Sequence, residues 1–220
     1  MIAVIIPAHD EEAFVAACVA SVQCAAASPA LHGEAVRIVV VLDACTDATA
    51  AVVAAAGAEG VEVNFCNVGR ARAVGAALAL AAGARWLAFT DADTVVAPDW
   101  LTEQLRQQAD AVCGTVQVAD WGGYGERMGQ HFARTYCDAE GHRHIHGANL
   151  GVSAEAYLRS GGFAPLRSSE DVALVQALIA QGARIAWTAA PRVVTSARRE
   201  FRAPDGFGAT LMRVDTGASP

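Results

Sequence analysis

The chain has 220 residues, 54% of them hydrophobic and 18% charged, with a formal net charge of −7. That size and balance describe a globular domain with a real core, and the acidity weighs against a general surface for nucleic acid or anionic membrane. All 16 basic residues are Arg, which excludes a Walker lysine, a Schiff-base lysine and any other catalytic Lys.

Residues 3–6 read as a short β-branched strand stopped by Pro7. An Ala-rich helix over 11–26 follows, with Glu11 and Glu12 placed to favour its dipole. Residues 37–42 form a continuous apolar run, as buried parallel strands do. Thr46 or Asp47 can cap a helix through Ala56, where Gly57 takes the C′ place. A third strand over 61–65, a third helix over 70–82 ending at Gly83, and a fourth strand over 86–90 complete the first half. Four strands with intervening helices predict a parallel, right-handed, doubly wound sheet.

The fourth strand ends abruptly in Asp91 and Asp93. In an extended chain residues i and i+2 share a side, so both carboxylates are expected to project together from the carboxyl end of a buried strand, where open α/β sheets bind ligands. Two hard oxygen donors suit Mg²⁺ or Mn²⁺. A plain turn-capping Asp with a solvated neighbour is the duller account of the same two residues.

The rest predicts a helix over 98–108, a strand over 111–118, a Gly-rich stretch at 121–125, a helix near 126–136 and a strand near 145–153. A helix over 170–181 follows, then a last strand near 184–188 or 192–195. Residues 1–95 are expected to form a nucleotide-binding half, 96–196 a second half that completes the sheet, and 197–220 a mobile, aperiodic tail. His142, His144 and His146 share one side of the expected strand, as cleft-facing residues rather than zinc ligands. Trp100, Trp121 and Tyr124 can stack on a sugar but are as often core, and Trp187 is expected in the core. The six cysteines show no Cys-x-x-Cys and predict buried free thiols in a reducing cytoplasm. The amino terminus lacks a signal-peptide pattern and no stretch suits a membrane span, so a cytoplasmic protein is expected.

Six motifs occur in order: Val4-Ile-Ile-Pro-Ala-His-Asp-Glu-Glu12, Val41-Leu-Asp-Ala-Cys-Thr-Asp47, Asn67-Val-Gly-Arg70, Thr90-Asp-Ala-Asp93, Gly147-Ala-Asn-Leu-Gly151 and Glu170-Asp171. Together they make the chain, from residue 2 to about 200, resemble a GT-A-fold family 2 glycosyltransferase. The resemblance implies metal-dependent, inverting sugar transfer from a nucleotide-sugar, with a UDP-sugar favoured and the acceptor unidentified. It implies that Pro7, Ala8, Asp10 and Glu12 wrap the nucleoside, and that Asp43 accepts a hydrogen bond from the base. Gly69 and Arg70 would favour anions at a helix start, where relatives often carry Lys, and Ala92 would line the site. Asp91 and Asp93 would hold Mn²⁺ or Mg²⁺ at the diphosphate, Asp171 would be the base, and Asn149 and Glu170 would meet substrate. Arg198 or Arg199 is expected at the diphosphate, whereas Arg72 is expected on a solvated helix face.

His9-Asp10 and Leu42-Asp43-Ala44 depart from the family's usual Tyr-Asn and Asp-Asp-Gly/Ser, which loosens any inference about the base. The lack of a Gln-x-x-Arg-Trp motif implies single rather than processive transfer. Three rivals remain. Asp91-Ala-Asp93-Thr-Val95 also matches haloacid-dehalogenase-type phosphatases, although those place the motif after the first strand. A sugar nucleotidyltransferase would want glycine in the first loop, and residues 7–14 have none. A non-catalytic nucleotide-sugar-binding module is the third.

Overall fold

A computed structural model describes residues 1–199 and 207–216. In its first half β1 (Ile2–Ala8), α1 (Val15–Ala26), β2 (Val36–Asp43), α2 (Thr49–Ala55), β3 (Glu59–Val63), α3 (Val68–Ala81) and β4 (Trp86–Phe89) alternate as the residue pattern predicts. The second half is more broken. It comprises β5 (Val95–Val96), α4 (Trp100–Arg106), β6 (Ala111–Cys113), β7 (Gln117–Val118), α5 (Gly125–Thr135) and β8 (Leu150–Ser153). After these come α6 (Ala154–Ser160), α7 (Glu170–Ala180), β9 (Ile185–Trp187), β10 (Val193–Thr195) and α8 (Phe207–Thr216).

Seven strands form one sheet in the order β3-β2-β1-β4-β8-β6-β9. The strands β1 to β4 are parallel neighbours, while β8 runs antiparallel to β4 and β6. Side chains alternate across a strand, and β1 shows both faces buried. Ile2, Val4 and Ile6 join the core under α1, α2 and α4, whereas Ala3 and Ile5 join the core under α3, α6 and α7. A second sheet, β5-β10-β7, lies past the end of β4. There Thr94 Oγ1 and Thr195 Oγ1 hydrogen-bond at 2.9 Å, which draws β10 and the chain after it over the Asp91–Asp93 loop.

Several expectations need correction. The 111–118 strand is two strands in different sheets. Residues 142–146 are not a strand, and β8 starts only at Leu150. The short helix α6 was not legible by periodicity, although Ser153 caps it by accepting from Ala156 N–H and Gly161 ends it in a left-handed conformation. At the start of α7, Ser169 stands at φ 58° in the N-cap place with no side-chain bond to the helix. The tail holds a helix, because burying Leu211 against Tyr124, Met128 and Ala197 supplies tertiary packing that its composition does not advertise. Residues 200–206, in the part expected to be mobile, lie outside the described residues. All six thiols are free, but only Cys18 and Cys113 are buried; Cys24, Cys66 and Cys137 are exposed. Trp100 is wholly buried, Tyr124 nearly so, and Trp187 is only partly covered.

Candidate active site

A cavity of about 700 Å³ opens at the carboxyl ends of β1, β2 and β4. Its lining includes Pro7, Ala8, Asp43, Asp91, Ala92, Asp93, Glu170, Asp171 and Arg198. This is where an open parallel sheet leaves strand ends and loop amides free for a ligand.

The two aspartates after β4 reach the cavity by a route other than the expected one. Residues 91–94 form a turn closed by Thr94 N–H to Asp91 C=O at 3.1 Å, so the extended-chain argument for a shared side fails locally. Asp91 is 38% exposed at its side chain and Asp93 only 15%. Burial, with the charges of Asp91 and Glu11 adding to it, pushes the Asp93 carboxyl up to about 7 against the opposing pull of Arg198. Such crowding of buried carboxylates fits a divalent cation, which would relieve it. No three His, Cys, Asp or Glu side chains among the described residues gather into a metal cage. Asp91 and Asp93 could offer such an ion two hard oxygens, leaving its remaining positions to water and phosphate, as Mg²⁺ and Mn²⁺ sites commonly do.

Arg72 corrects the sequence reading. It is 3% exposed rather than solvated, and its guanidinium pairs with Asp91 on one side and Glu170 on the other. Burial raises the Glu170 carboxyl and the Arg72 charge pulls against it. The Nε of Arg72 is buried without a partner. Gly147 makes room for the group, since a Cβ there would overlap the guanidinium. Glu170 is thereby a buried ion-pair partner that also lines the cavity. Asp171 stands next to it at the start of α7: its Oδ2 accepts Gly147 N–H at 2.7 Å and its Oδ1 accepts Val172 N–H at 2.7 Å.

Arg198 turns into the cavity, donates to Glu11 at 2.6 Å, and lies 3.3 Å from Asp93. Arg199 turns away, pairing with Asp215 at 2.7 Å and stacking over Tyr124. Asp43 accepts from the N–H groups of Phe65, Cys66 and Asn67 at 2.6, 2.9 and 2.8 Å, which clasps the β3–α3 connection against β2. His9 donates its ring N–H to the Asp43 carbonyl at 2.6 Å. His146 contacts Tyr136 Oη at 2.9 Å, and that oxygen also accepts Val116 N–H. Burial, with His144 and His142 adding to it, pushes the His146 imidazole down to about 3, so it is neutral.

Other expected contacts fall off the cavity. Asn149 is 1% exposed, and its amide is consumed by Trp100 Nε1–H and by the carbonyls of Thr115 and Pro191. Gly69 donates its N–H to Leu166 C=O, so that amide is not offered to an anion. Arg70 stacks on the Phe65 ring, 3.8 Å from its centroid. Asp10 and Glu12 accept from Thr46 and Ala48 N–H, knitting the loop after β1 to the loop after β2. Glu11, not Glu12, is the acid of that loop that lines the cavity. Glu11 and Arg72 carried a signal in their spacing. Arg72 lies in register with the buried Gly69, Ala76 and Ala79 of α3, and Glu11 with Val15, Cys18 and Val22 of α1.

A doubly wound sheet with acidic loops at its carboxyl edge is the GT-A architecture. Residues 3–167, well over half the chain, match the family model described as glycosyl transferase family 2, and the chain belongs to that family. Solved structures share the fold at low identity. TarS residues 1–349 of S. aureus, solved with UDP-GlcNAc, is 16% identical with a TM-score of 0.67, covering 99% of this chain and 66% of that one. The mannosyltransferase PcManGT of Pyrobaculum calidifontis, with GDP-Man and Mn²⁺, is 17% identical with a TM-score of 0.67, covering 98% and 60%. Glucosyl-3-phosphoglycerate synthase of Mycobacterium tuberculosis, with Mn²⁺, UDP and phosphoglyceric acid, is 19% identical with a TM-score of 0.64, covering 100% and 80%. This chain thus spans just under two thirds of the TarS fragment. No curated protein matches the sequence. Among the described residues, no helix is long and apolar enough to cross a membrane.

Proposed function

We propose that the protein transfers a sugar, with inversion, from a nucleotide-sugar donor to an acceptor hydroxyl. The single observation that carries this reading is the convergence of Asp91, Asp93 and Asp171 on one cavity at the carboxyl edge of the sheet. Family membership and donors bound by fold relatives, UDP-GlcNAc in one and GDP-Man in another, support it. Membership also weighs against the phosphohydrolase, nucleotidyltransferase and binding-module alternatives. A UDP-sugar is the donor we favour.

Asp91 and Asp93 would hold Mn²⁺ or Mg²⁺. When bound, such an ion supplies Lewis-acid neutralisation of the departing diphosphate. Arg198 adds a fixed positive charge beside Asp93, placed to meet phosphate oxygens. Pro7, Ala8 and the Asp43 clasp form the wall assigned to the nucleoside. Asp171 is the base: Gly147 N–H fixes one carboxylate oxygen, and the acceptor hydroxyl gives its proton to this group. The acceptor oxygen then bonds to the anomeric carbon as the carbon–oxygen bond to the diphosphate breaks, and the electron pair leaves with the nucleotide. Arg72 holds Asp91 and Glu170, a positioning role that ties the donor loop to the helix carrying the base.

Calorimetric titration with UDP and GDP, with and without Mn²⁺, tests the donor side. Binding is expected to depend on Mn²⁺ and to vanish in Asp91→Asn and Asp93→Asn. Asp171→Asn should keep that binding and lose transfer by on the order of 10²–10⁴-fold. Wild-type binding of Mn²⁺–UDP by either Asn variant would refute the donor assignment, and transfer within about threefold of wild type in Asp171→Asn would place the base elsewhere.

A further inference from the structure

One side of α5 has no place in the donor chemistry. The helix forms a wall of the main cavity through Met128, His131, Phe132 and Thr135. An adjacent concavity of about 360 Å³ is lined by Tyr124, Arg127, Gln130, His131, Arg134 and Asp215. Met128 and His131 line both, so the two spaces are adjacent. Residues 127, 131 and 134 are at i, i+4 and i+7 and share one helix face. The two guanidinium groups thus start about 10 Å apart along the axis, within reach of one ligand for side chains of this length.

The charges on this face are uncompensated. Arg127 and Arg134 are exposed, face one concavity together and have no acidic partner among the described residues. The nearby Asp215 is committed to Arg199 at 2.7 Å. Glu126 is the one acid on α5 and stands in its first turn. A chain of net charge −7 therefore keeps two unpaired cations and a histidine in the concavity beside the cavity that holds Asp171.

We infer that this face is an acceptor subsite for a phosphate monoester, and that the acceptor enters with its phosphate on Arg127, His131 and Arg134 and its hydroxyl toward Asp171. The inference rests on the transfer reading above and names the acceptor's chemistry. A phosphate monoester carries about −1.5 to −2 charge at neutral pH and three acceptor oxygens, which matches two guanidinium forks better than a carboxylate does. The ester is either a free small molecule or a lipid headgroup, since both present the same dianion.

The test uses the full chain. Glycerol 1-phosphate and glycerol are titrated into wild type and into Arg127→Gln/Arg134→Gln, and vesicles of phosphatidylcholine with and without phosphatidic acid are co-sedimented with both proteins. Wild type should bind one phosphate form, free or vesicular, and neither glycerol nor phosphatidylcholine alone. The double variant should bind it at least about tenfold more weakly, the loss of two charge-assisted contacts, while its Mn²⁺–UDP binding stays at wild-type strength. Binding of the free ester assigns a soluble acceptor; binding confined to phosphatidic acid vesicles assigns a lipid one. Equal phosphate binding by both proteins, or none by wild type in either arm, overturns the subsite. Failure of wild type to bind Mn²⁺–UDP would instead overturn the transfer reading and leave the phosphate result to be read by itself.

Discussion

Replacing Arg72 with Met would leave Glu170 buried with no counter-charge, because the guanidinium is the ion-pair partner of a carboxylate only 5% exposed. Removing one member of a buried pair costs about 3–5 kcal/mol. Asp91 loses a partner too, but it is 38% exposed and water can replace much of what it loses. For a domain of this size the deficit corresponds to a fall in Tm of roughly 6–20 °C. The loss should depend on pH in a defined sense. Burial already raises the Glu170 carboxyl above its ordinary value with Arg72 present, and without Arg72 it rises further. A carboxyl raised in the folded state keeps its proton when the unfolded chain has released it, so stability falls as pH climbs through and above the unfolded value of about 4.3. Thermal or urea unfolding of Arg72→Met should therefore show a larger deficit at pH 8 than at pH 5. Arg72→Met/Glu170→Gln should recover most of the deficit and flatten that dependence, since no buried charge is left unpaired. A deficit under about 1 kcal/mol at pH 8, or a double variant no more stable than the single one, would refute the claim that this pair is a buried, charged linkage.

Asn149→Ala should lower stability by about 3 kcal/mol or more, because it orphans the Trp100 indole N–H and two buried carbonyls at about 1–3 kcal/mol each. Mn²⁺–UDP affinity of the folded protein should be unchanged; a weaker affinity with unaltered Tm would restore Asn149 to the substrate site. Arg198→Ala should weaken nucleoside diphosphate binding measured by calorimetry, and Arg199→Ala should not, because only the first side chain turns into the cavity. Equal behaviour of the two variants would contradict that division.

The first half was legible because β1 and β4 are almost wholly buried and α1 and α3 run for 12 and 14 residues. Ile2 to Ile6 form an unbroken apolar run wherever the boundaries are drawn, and the glycines after α2 and α3 mark the helix ends through their positive φ. The second half was harder for physical reasons. Strands of two or three residues such as β5, β7 and β10 have no room for a periodic signature. The insertion of β8 between β4 and β6 is a long-range pairing that no local pattern announces.

Within the site the misreadings share a cause, which is that motif position was taken for side-chain position. Asn149 sits in the family motif, yet its amide satisfies an indole and two carbonyls in the core. Glu12 and Glu11 are neighbours, but only Glu11 falls in step with Val15, Cys18 and Val22, and only Glu11 lines the cavity. The same test recovers Arg72. A helix turn advances 100° per residue, so an Arg in register with Gly69, Ala76 and Ala79 must go where those residues go, under the sheet-facing side of α3. A charge sent there needs a partner, and the acids within reach are Asp91, after the strand that α3 feeds, and Glu170, beside Asp171. A buried-face arginine among small residues was thus a sequence-level sign that the loop after β4 and the start of α7 are joined by a salt bridge. The exposed-face arginines of α5 are the opposite case, charges on a surface that the fold itself does not need.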